Sequence, residues 1–246
     1  MLSIQNVSKT YSRQNVKAVD MLSLEAGAGV IYGFLGPNGA GKTTTIKMLT
    51  GVLPFSDGDI FIKGASIRWN PIEAKRMIGY VPDSHVVYDK LTGRQYINFM
   101  ADIYGVPADI RKNRADMLLE RLNLAKDADS QITSYSFGMR QKICVIGALI
   151  HNPPLWVLDE PLTGLDPQSS FELKQMMREH TQEGNTVFFS THILEVAEKL
   201  CDHIGVINKG CLVGEVKVSE FATGGFSLED YFLRLINYAP AAEPQS

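Results

Sequence analysis

No apolar run in this 246-residue chain approaches the roughly 18 to 20 residues a helix needs to cross a bilayer, so any work at a membrane has to pass through a partner. The opening Met1-Leu2-Ser3-Ile4-Gln5-Asn6 has neither the basic head nor the apolar centre of a signal peptide, and none is expected. Cysteine is scarce. Cys144, Cys201 and Cys211 stand far apart, with no C-x-x-C pair and no histidines at zinc-ligand spacing, which points to reduced thiols and against a disulfide framework. A surplus of one charge is missing too: 24 Lys and Arg are set against 27 Asp and Glu for a net charge of -3, with the signs intermixed. That balance carries no electrostatic footprint for nucleic acid, and no nucleic-acid partner is expected. Internal repeats and low-complexity tracts are also absent.

What is present begins at Gly36-Pro37-Asn38-Gly39-Ala40-Gly41-Lys42-Thr43, a complete G-x-x-x-x-G-K-[ST] loop. Its glycines let successive backbone N–H groups converge on one anion, and a following helix adds the positive end of its dipole at the same place. Lys42 would reach the β- and γ-phosphates of a nucleotide, and the Thr43 hydroxyl would bind Mg2+. The flanks fit: Val30 to Leu35 is a buried-strand pattern, and Lys42 to Leu49 has helical spacing without a breaker.

The first seventy residues alternate short strand patterns with turn residues such as Asp57-Gly58-Asp59, which suggests a mostly antiparallel sheet around the loop. Ile78 to Val81 is a further buried strand, stopped by Pro82. From about residue 91, Tyr96, Ile97, Phe99, Met100, Ile103 and Tyr104 recur at helical spacing, followed by Met117, Leu118, Leu119 and Leu122, and this reads as a helical insertion. Ser136 stands where an N-cap would, before a helix that Pro153-Pro154 terminates. Leu155–Leu158 (strand), Gln168–Thr181 (helix), Thr186–Ser190 (strand), Ile193–Leu200 (helix) and His203–Asn208 (strand) then alternate, the rhythm of a parallel sheet with crossover helices. Ser227 to Asn237 suits an amphipathic helix, and the last residues a frayed end.

Phosphoryl transfer to water needs a metal across the terminal phosphates, a group that orients the water, and fixed positive charge around the developing negative charge. Leu155-Trp156-Val157-Leu158-Asp159-Glu160 is an apolar strand ending in two carboxylates: Asp159 is placed to bind Mg2+ through water, and Glu160 to act as general base. His192 follows another strand of the parallel sheet, at the carboxyl end where ligands gather, and a γ-phosphate contact suits it. His85, His151, His180 and His203 are expected at the surface.

Together, the phosphate loop, Tyr135-Ser136-Phe137-Gly138-Met139-Arg140-Gln141, Asp159-Glu160, Pro161-Leu162-Thr163-Gly164-Leu165-Asp166 and Thr191-His192 resemble the nucleotide-binding subunit of an ATP-binding cassette (ABC) transporter over residues 2 to 216. The resemblance implies an α/β fold: a P-loop NTPase (RecA-like) core with an N-terminal antiparallel β subdomain and an inserted α-helical subdomain. All would form one domain, with 1–83 and 151–216 as core, 84–150 as the helical part and 217–246 as a tail. ATP and Mg2+ are the implied cofactors. Tyr11 would stack on adenine with Val16 as a side wall, and Asn38, Gly39, Ala40, Gly41, Lys42, Thr43 and Thr44 would hold the phosphates. Ser136 and Gly138 would cap the γ-phosphate bound by a second nucleotide-binding subunit, identical or not, while Asp166 would link the two sites and His192 serve as the switch histidine. The remaining implied partner is an integral membrane permease, which would hold the protein at the cytoplasmic face and meet the helical insertion, where exposed aromatics between Tyr88 and Tyr104 would fit a docking groove.

The sequence departs from the family pattern at two places. Phe137 and Met139 replace the glycine and glutamine of the usual L-S-G-G-Q, and similar Y-S-x-G-M sequences are familiar among exporters of drugs, antibiotics or lipids. Asp83 stands where glutamine is usual, and could bind Mg2+ directly or through an extra water. Rival readings remain: a soluble non-transport ABC-type ATPase, a binding module without turnover, or a GTPase or small-molecule kinase, since Asn208-Lys209-Gly210-Cys211 begins like the guanine-reading N-K-x-D but puts Cys211 in place of the aspartate.

Overall fold

The computed structural model describes residues 1–11, 16–84, 88–221 and 227–237. Its centre is a six-stranded sheet. In spatial order the strands are β10 (Cys211–Lys217), β9 (His203–Asn208), β3 (Ile31–Leu35), β8 (Thr186–Thr191), β7 (Leu155–Asp159) and β6 (Ile78–Val81). All neighbours run parallel except β10, which folds back antiparallel on β9. The short apolar runs in the sequence become strands buried on both faces, as parallel strands between two layers must be. Trp156 and Leu158 of β7 and Val187 and Phe189 of β8 point to one side, while Leu155, Val157 and Phe188 point to the other with Tyr32 and Phe34 of β3. On that second side Tyr32 stacks on Phe188 with ring centroids 5.4 Å apart.

The antiparallel expectation is met by a separate four-stranded sheet, ordered β2 (Lys17–Ala26), β1 (Leu2–Thr10), β4 (Asp57–Ile62) and β5 (Ala65–Ser66). Asp57-Gly58-Asp59, expected as a turn, is the first half of β4, because pairing with β1 overrides the local turn preference. This sheet and α1 (Lys42–Leu49) share one apolar core with the second face of the central sheet. The phosphate loop thus runs from a strand fixed on both sides into a helix packed between the sheets, with α2 (Pro71–Arg76) leading on to β6.

The helical stretch contains α3 (Gly93–Ile103), α4 (Ala108–Arg121) and α5 (Phe137–Leu149). α3 opens with a capping box in which the Thr92 hydroxyl accepts from the Gln95 N–H and the Gln95 carboxamide oxygen accepts from the Thr92 N–H. α5 packs directly on β6, and Gly79 permits it: a Cβ there would collide with the carbonyl oxygen of Ala148. The same apolar cluster runs from Tyr96 and Ile97 through α5 to Trp156, so the insertion and the central sheet have no core boundary between them. α6 (Pro167–Gln182), α7 (Leu194–Leu200) and α8 (Leu228–Asn237) complete this layer, and Arg121 of α4 pairs with Glu172 and Glu179 of α6. Tyr88 and Phe99 are exposed and meet edge to face at 5.1 Å, whereas Tyr96 is buried.

Two histidines expected at the surface are not there. His180, only 6% exposed, sits edge-on to Trp156, and His151 stacks flat on Tyr104 at 3.6 Å. The cause is local: Pro153-Pro154 turns the chain from the end of α5 straight into β7 and tucks the His151 ring beneath Tyr104. His203 is half-buried at the start of β9, and His85 lies outside the described residues. Burial pushes His151 down from 6.5 to about 4. A base depressed by folding contributes stability that is complete above its unfolded pKa and is lost as the pH falls from about 6.5 towards 4. In urea titrations between those pH values the wild type is expected to lose more unfolding free energy than His151→Gln, and parallel losses would contradict this.

Candidate active site

The phosphate loop leaves the carboxyl end of β3 and is held by its surroundings. Gly36 packs so closely that a Cβ would collide with the carbonyl oxygen of Ile207, and Gly41 adopts φ 111° with its Cα facing the carbonyl of Ala18. The Ala40 carbonyl accepts from the Gly210 N–H at 2.9 Å, and Asp20 N–H donates to the Gly210 carbonyl at 2.9 Å. Asn208-Lys209-Gly210-Cys211 is therefore a tight hairpin joining β9 to β10, with positive φ at Lys209 and Gly210, and it is hydrogen-bonded to the loop. Pro37, Asn38 and Gly39 are exposed at the loop tip, Ala40 is buried, and Thr43 and Thr44 are half-buried in the first turn of α1. Lys42 is buried and its Nζ donates to the carbonyls of Gly36 at 2.7 Å and Pro37 at 3.3 Å, spanning the loop from within.

Three strand ends bring the other predicted groups to this loop. Glu160, just past β7, places one carboxylate oxygen 3.6 Å from Lys42 Nζ and the other 3.0 Å from His192 Nδ1, just past β8. Asp159 is buried; its Oδ1 accepts from the Ser190 hydroxyl at 2.6 Å, while its buried Oδ2 has no hydrogen-bond partner among the described residues. Burial raises the Asp159 pKa, helped by the negative charges of Asp83 and Glu160 and opposed by the hydroxyls of Ser190 and Thr43. A buried carboxylate oxygen without a partner, set among like charges beside a threonine hydroxyl, suits a divalent cation whose other ligands are phosphate and water oxygens. Asp83 is exposed beyond β6 and acts on Asp159 through its charge.

The Ser136 segment faces elsewhere. Ser136 caps α5, its hydroxyl accepting from the Met139 N–H at 3.3 Å, and both Ser136 and Phe137 are exposed. A Cβ on Gly138 would meet only the Gly164 carbonyl, at 3.7 Å, so nothing among the described residues requires glycine there. Asp166 caps α6 by accepting from the Ser169 N–H at 2.8 Å, and Lys142 of α5 approaches it to 3.8 Å. Tyr11, 42% exposed at the end of β1, and Val16 are not held by core packing; Lys9 Nζ lies 5.7 Å from the Tyr11 ring centre.

The family model described as "ABC transporter" matches residues 19–163, more than half of the chain. The chain belongs to the ABC transporter family. It is 36% identical over 213 residues to the linearmycin resistance ATP-binding protein of Bacillus subtilis (strain 168), covering 87% of this chain and 68% of that protein. It is 38% identical over 217 residues to the bacitracin transport ATP-binding protein of Bacillus licheniformis, covering 88% and 69%. Among solved structures, one titled as the ATP binding subunit of an ABC transporter superposes with a TM-score of 0.89 at 30% identity, covering 96% of this chain and 99% of that one. A dimeric ATP-binding cassette in a post-hydrolysis state with ADP and Pi shares the fold, with a TM-score of 0.80 at 24% identity over 89% of this chain and 99% of its own. This ABC subunit is thus an ATP-binding ATPase with the P-loop fold the sequence implied. Among the described residues no helix is long and apolar enough to cross a membrane.

Two residues of the ABC site escaped sequence reasoning. Ser190 reads as the last residue of an apolar strand, yet its hydroxyl contacts the Asp159 carboxylate and the Glu160 N–H. Gln141, fully buried on α5, donates from its side chain to the carbonyl of Pro161, tying the Ser136 helix to the loop after Glu160. The one available signal was a polar residue at a buried position of an otherwise apolar pattern.

Proposed function

We propose that this cassette binds Mg-ATP between its own phosphate loop and the Ser136 segment of a second nucleotide-binding subunit, and that hydrolysis lets the pair separate. The observation that carries the reading is the placement of Glu160 between Lys42 and His192, with the unsatisfied Oδ2 of Asp159 alongside. Glu160 accepts the proton of the attacking water, His192 fixes its carboxylate, and Lys42 turns from its carbonyl partners to the terminal phosphates. Asp159 and Thr43 would hold Mg2+, which would neutralise phosphate charge. Tyr11 stacks on the adenine, and Asp83 tunes the field at Asp159.

The exposure of Ser136 at the start of α5 and the open space at Gly138, where no contact among the described residues requires glycine, support a partner-facing role. The closed and open states of the pair then drive an integral membrane permease, with the cassette on the cytoplasmic side of the membrane. Relatives named for bacitracin transport, linearmycin resistance and Nod factor export favour outward transport. Gly138→Asp tests the arrangement: a carboxylate aimed at the partner's γ-phosphate is expected to cut the ATP-dependent dimer at least about tenfold, leaving nucleotide affinity of the monomer within about threefold. Light scattering with saturating ATP reads the first and titration calorimetry the second. An undiminished dimer would refute the partner-facing role.

A further inference from the structure

Ser190 lies in β8 directly opposite Asp159 of β7, in register and fully buried. Its hydroxyl makes two bonds of opposite sense: it donates to Asp159 Oδ1 at 2.6 Å and accepts from the Glu160 N–H at 3.0 Å. With both engaged, the hydroxyl hydrogen has one place to go and one lone pair is taken, so its rotor is fixed. Two consequences follow from the geometry. Asp159 cannot turn freely, because Oδ1 is tied down and Oδ2 is the oxygen left without a partner. Glu160 sits at φ 50°, a left-handed conformation that side-chain-bearing residues rarely adopt, and its N–H is the group Ser190 holds.

We infer that Ser190 is a positioning residue of the hydrolysis site: it selects which oxygen Asp159 offers to the metal and fixes the backbone turn that aims Glu160. The inference rests on the function proposed above and adds a residue to it. Through one hydroxyl Ser190 acts on Asp159 at its carboxylate and on Glu160 at its main-chain N–H. His192 holds the Glu160 carboxylate from the other end, so the last residues of a single strand orient both acids.

The test compares wild type, Ser190→Ala and Ser190→Thr as full chains, with a non-hydrolysable ATP analogue and Mn2+ as the probe metal. Mn2+ affinity of the nucleotide complex is read by electron paramagnetic resonance, and analogue affinity is read separately in excess chelator. Ser190→Ala is expected to weaken Mn2+ binding about tenfold with chelator-condition affinity within about twofold, and Ser190→Thr, which keeps the hydroxyl, to restore Mn2+ binding to within about threefold. In steady state, Ser190→Ala is expected to lower kcat while the KM for ATP stays within about twofold. Mn2+ affinity within twofold of wild type in a folded Ser190→Ala protein overturns the inference. Should alanine fail to fold, Ser190→Cys, nearly isosteric with a poorer donor, serves the same comparison: weakened Mn2+ binding supports the role and unchanged binding overturns it. A wild type that binds nucleotide with no dependence on metal overturns the functional reading itself, a result distinct from any difference between variants.

Discussion

Glu160→Gln is expected to slow ATP turnover at least about 100-fold while leaving ATP binding nearly intact. Glutamine fills the same volume, still reaches the His192 ring and accepts the same backbone turn, since its intrinsic cost at φ 50° matches that of glutamate. What it loses is the ability to take a proton from water. Removing a negative charge beside Asp159 and the incoming phosphates also eases the like-charge repulsion that helps to raise the Asp159 pKa. ATP therefore binds and stays, and the closed pair of subunits accumulates. Phosphate release followed with a coupled dye and elution volume at saturating ATP read the two effects together; turnover within about threefold of wild type, or a monomer under those conditions, would sink the assignment.

Lys42→Ala is expected to act at the earlier step, raising the Kd for Mg-ATP about 10- to 100-fold, because a charge-assisted hydrogen bond contributes on the order of 1.5 to 3 kcal/mol and 1.4 kcal/mol is tenfold. Without nucleotide, the ammonium is occupied by the carbonyls of Gly36 and Pro37 and lies 3.6 Å from Glu160. Pro37 is exposed at the loop tip but the Gly36 carbonyl is buried and loses its donor, so the empty protein should unfold at a somewhat lower temperature than the wild type while remaining folded. Calorimetric titration separates this outcome from that of Glu160→Gln: one variant binds poorly, the other binds and stalls. Wild-type affinity in Lys42→Ala would mean that the loop amides alone hold the phosphates.

The contrast between what could and could not be read from the chain has physical causes. β3, β6, β7, β8 and β9 showed as unbroken apolar runs because strands buried on both faces need no polar alternation, and α5 showed because Ser136 marks its start. β1 and β2 were harder to place: Asn6 and Met21 take positive φ within them and the pairing shifts register between Ile4 and Val7, so no glycine or proline announces the irregularity. The phosphate loop was legible because eight consecutive residues carry it. The rest of the site is assembled from strand ends scattered along the chain, and Ser190 and Gln141 matter through contacts 31 and 20 residues away in sequence that no local pattern encodes. His151 and His180 were misplaced for a related reason, since the packing that covers them comes from Tyr104 and Trp156 on other elements.

The hairpin at Lys209-Gly210 that grips the Ala40 carbonyl is itself leaned on by α8: Asn208 donates to the Ile236 carbonyl, and the Tyr231 hydroxyl to that of Glu215. A run of hydrogen bonds thus leads from the last helix among the described residues, through one reverse turn, to the phosphate loop. The loop that receives ATP is hydrogen-bonded, at one remove, to residues near the end of the described chain.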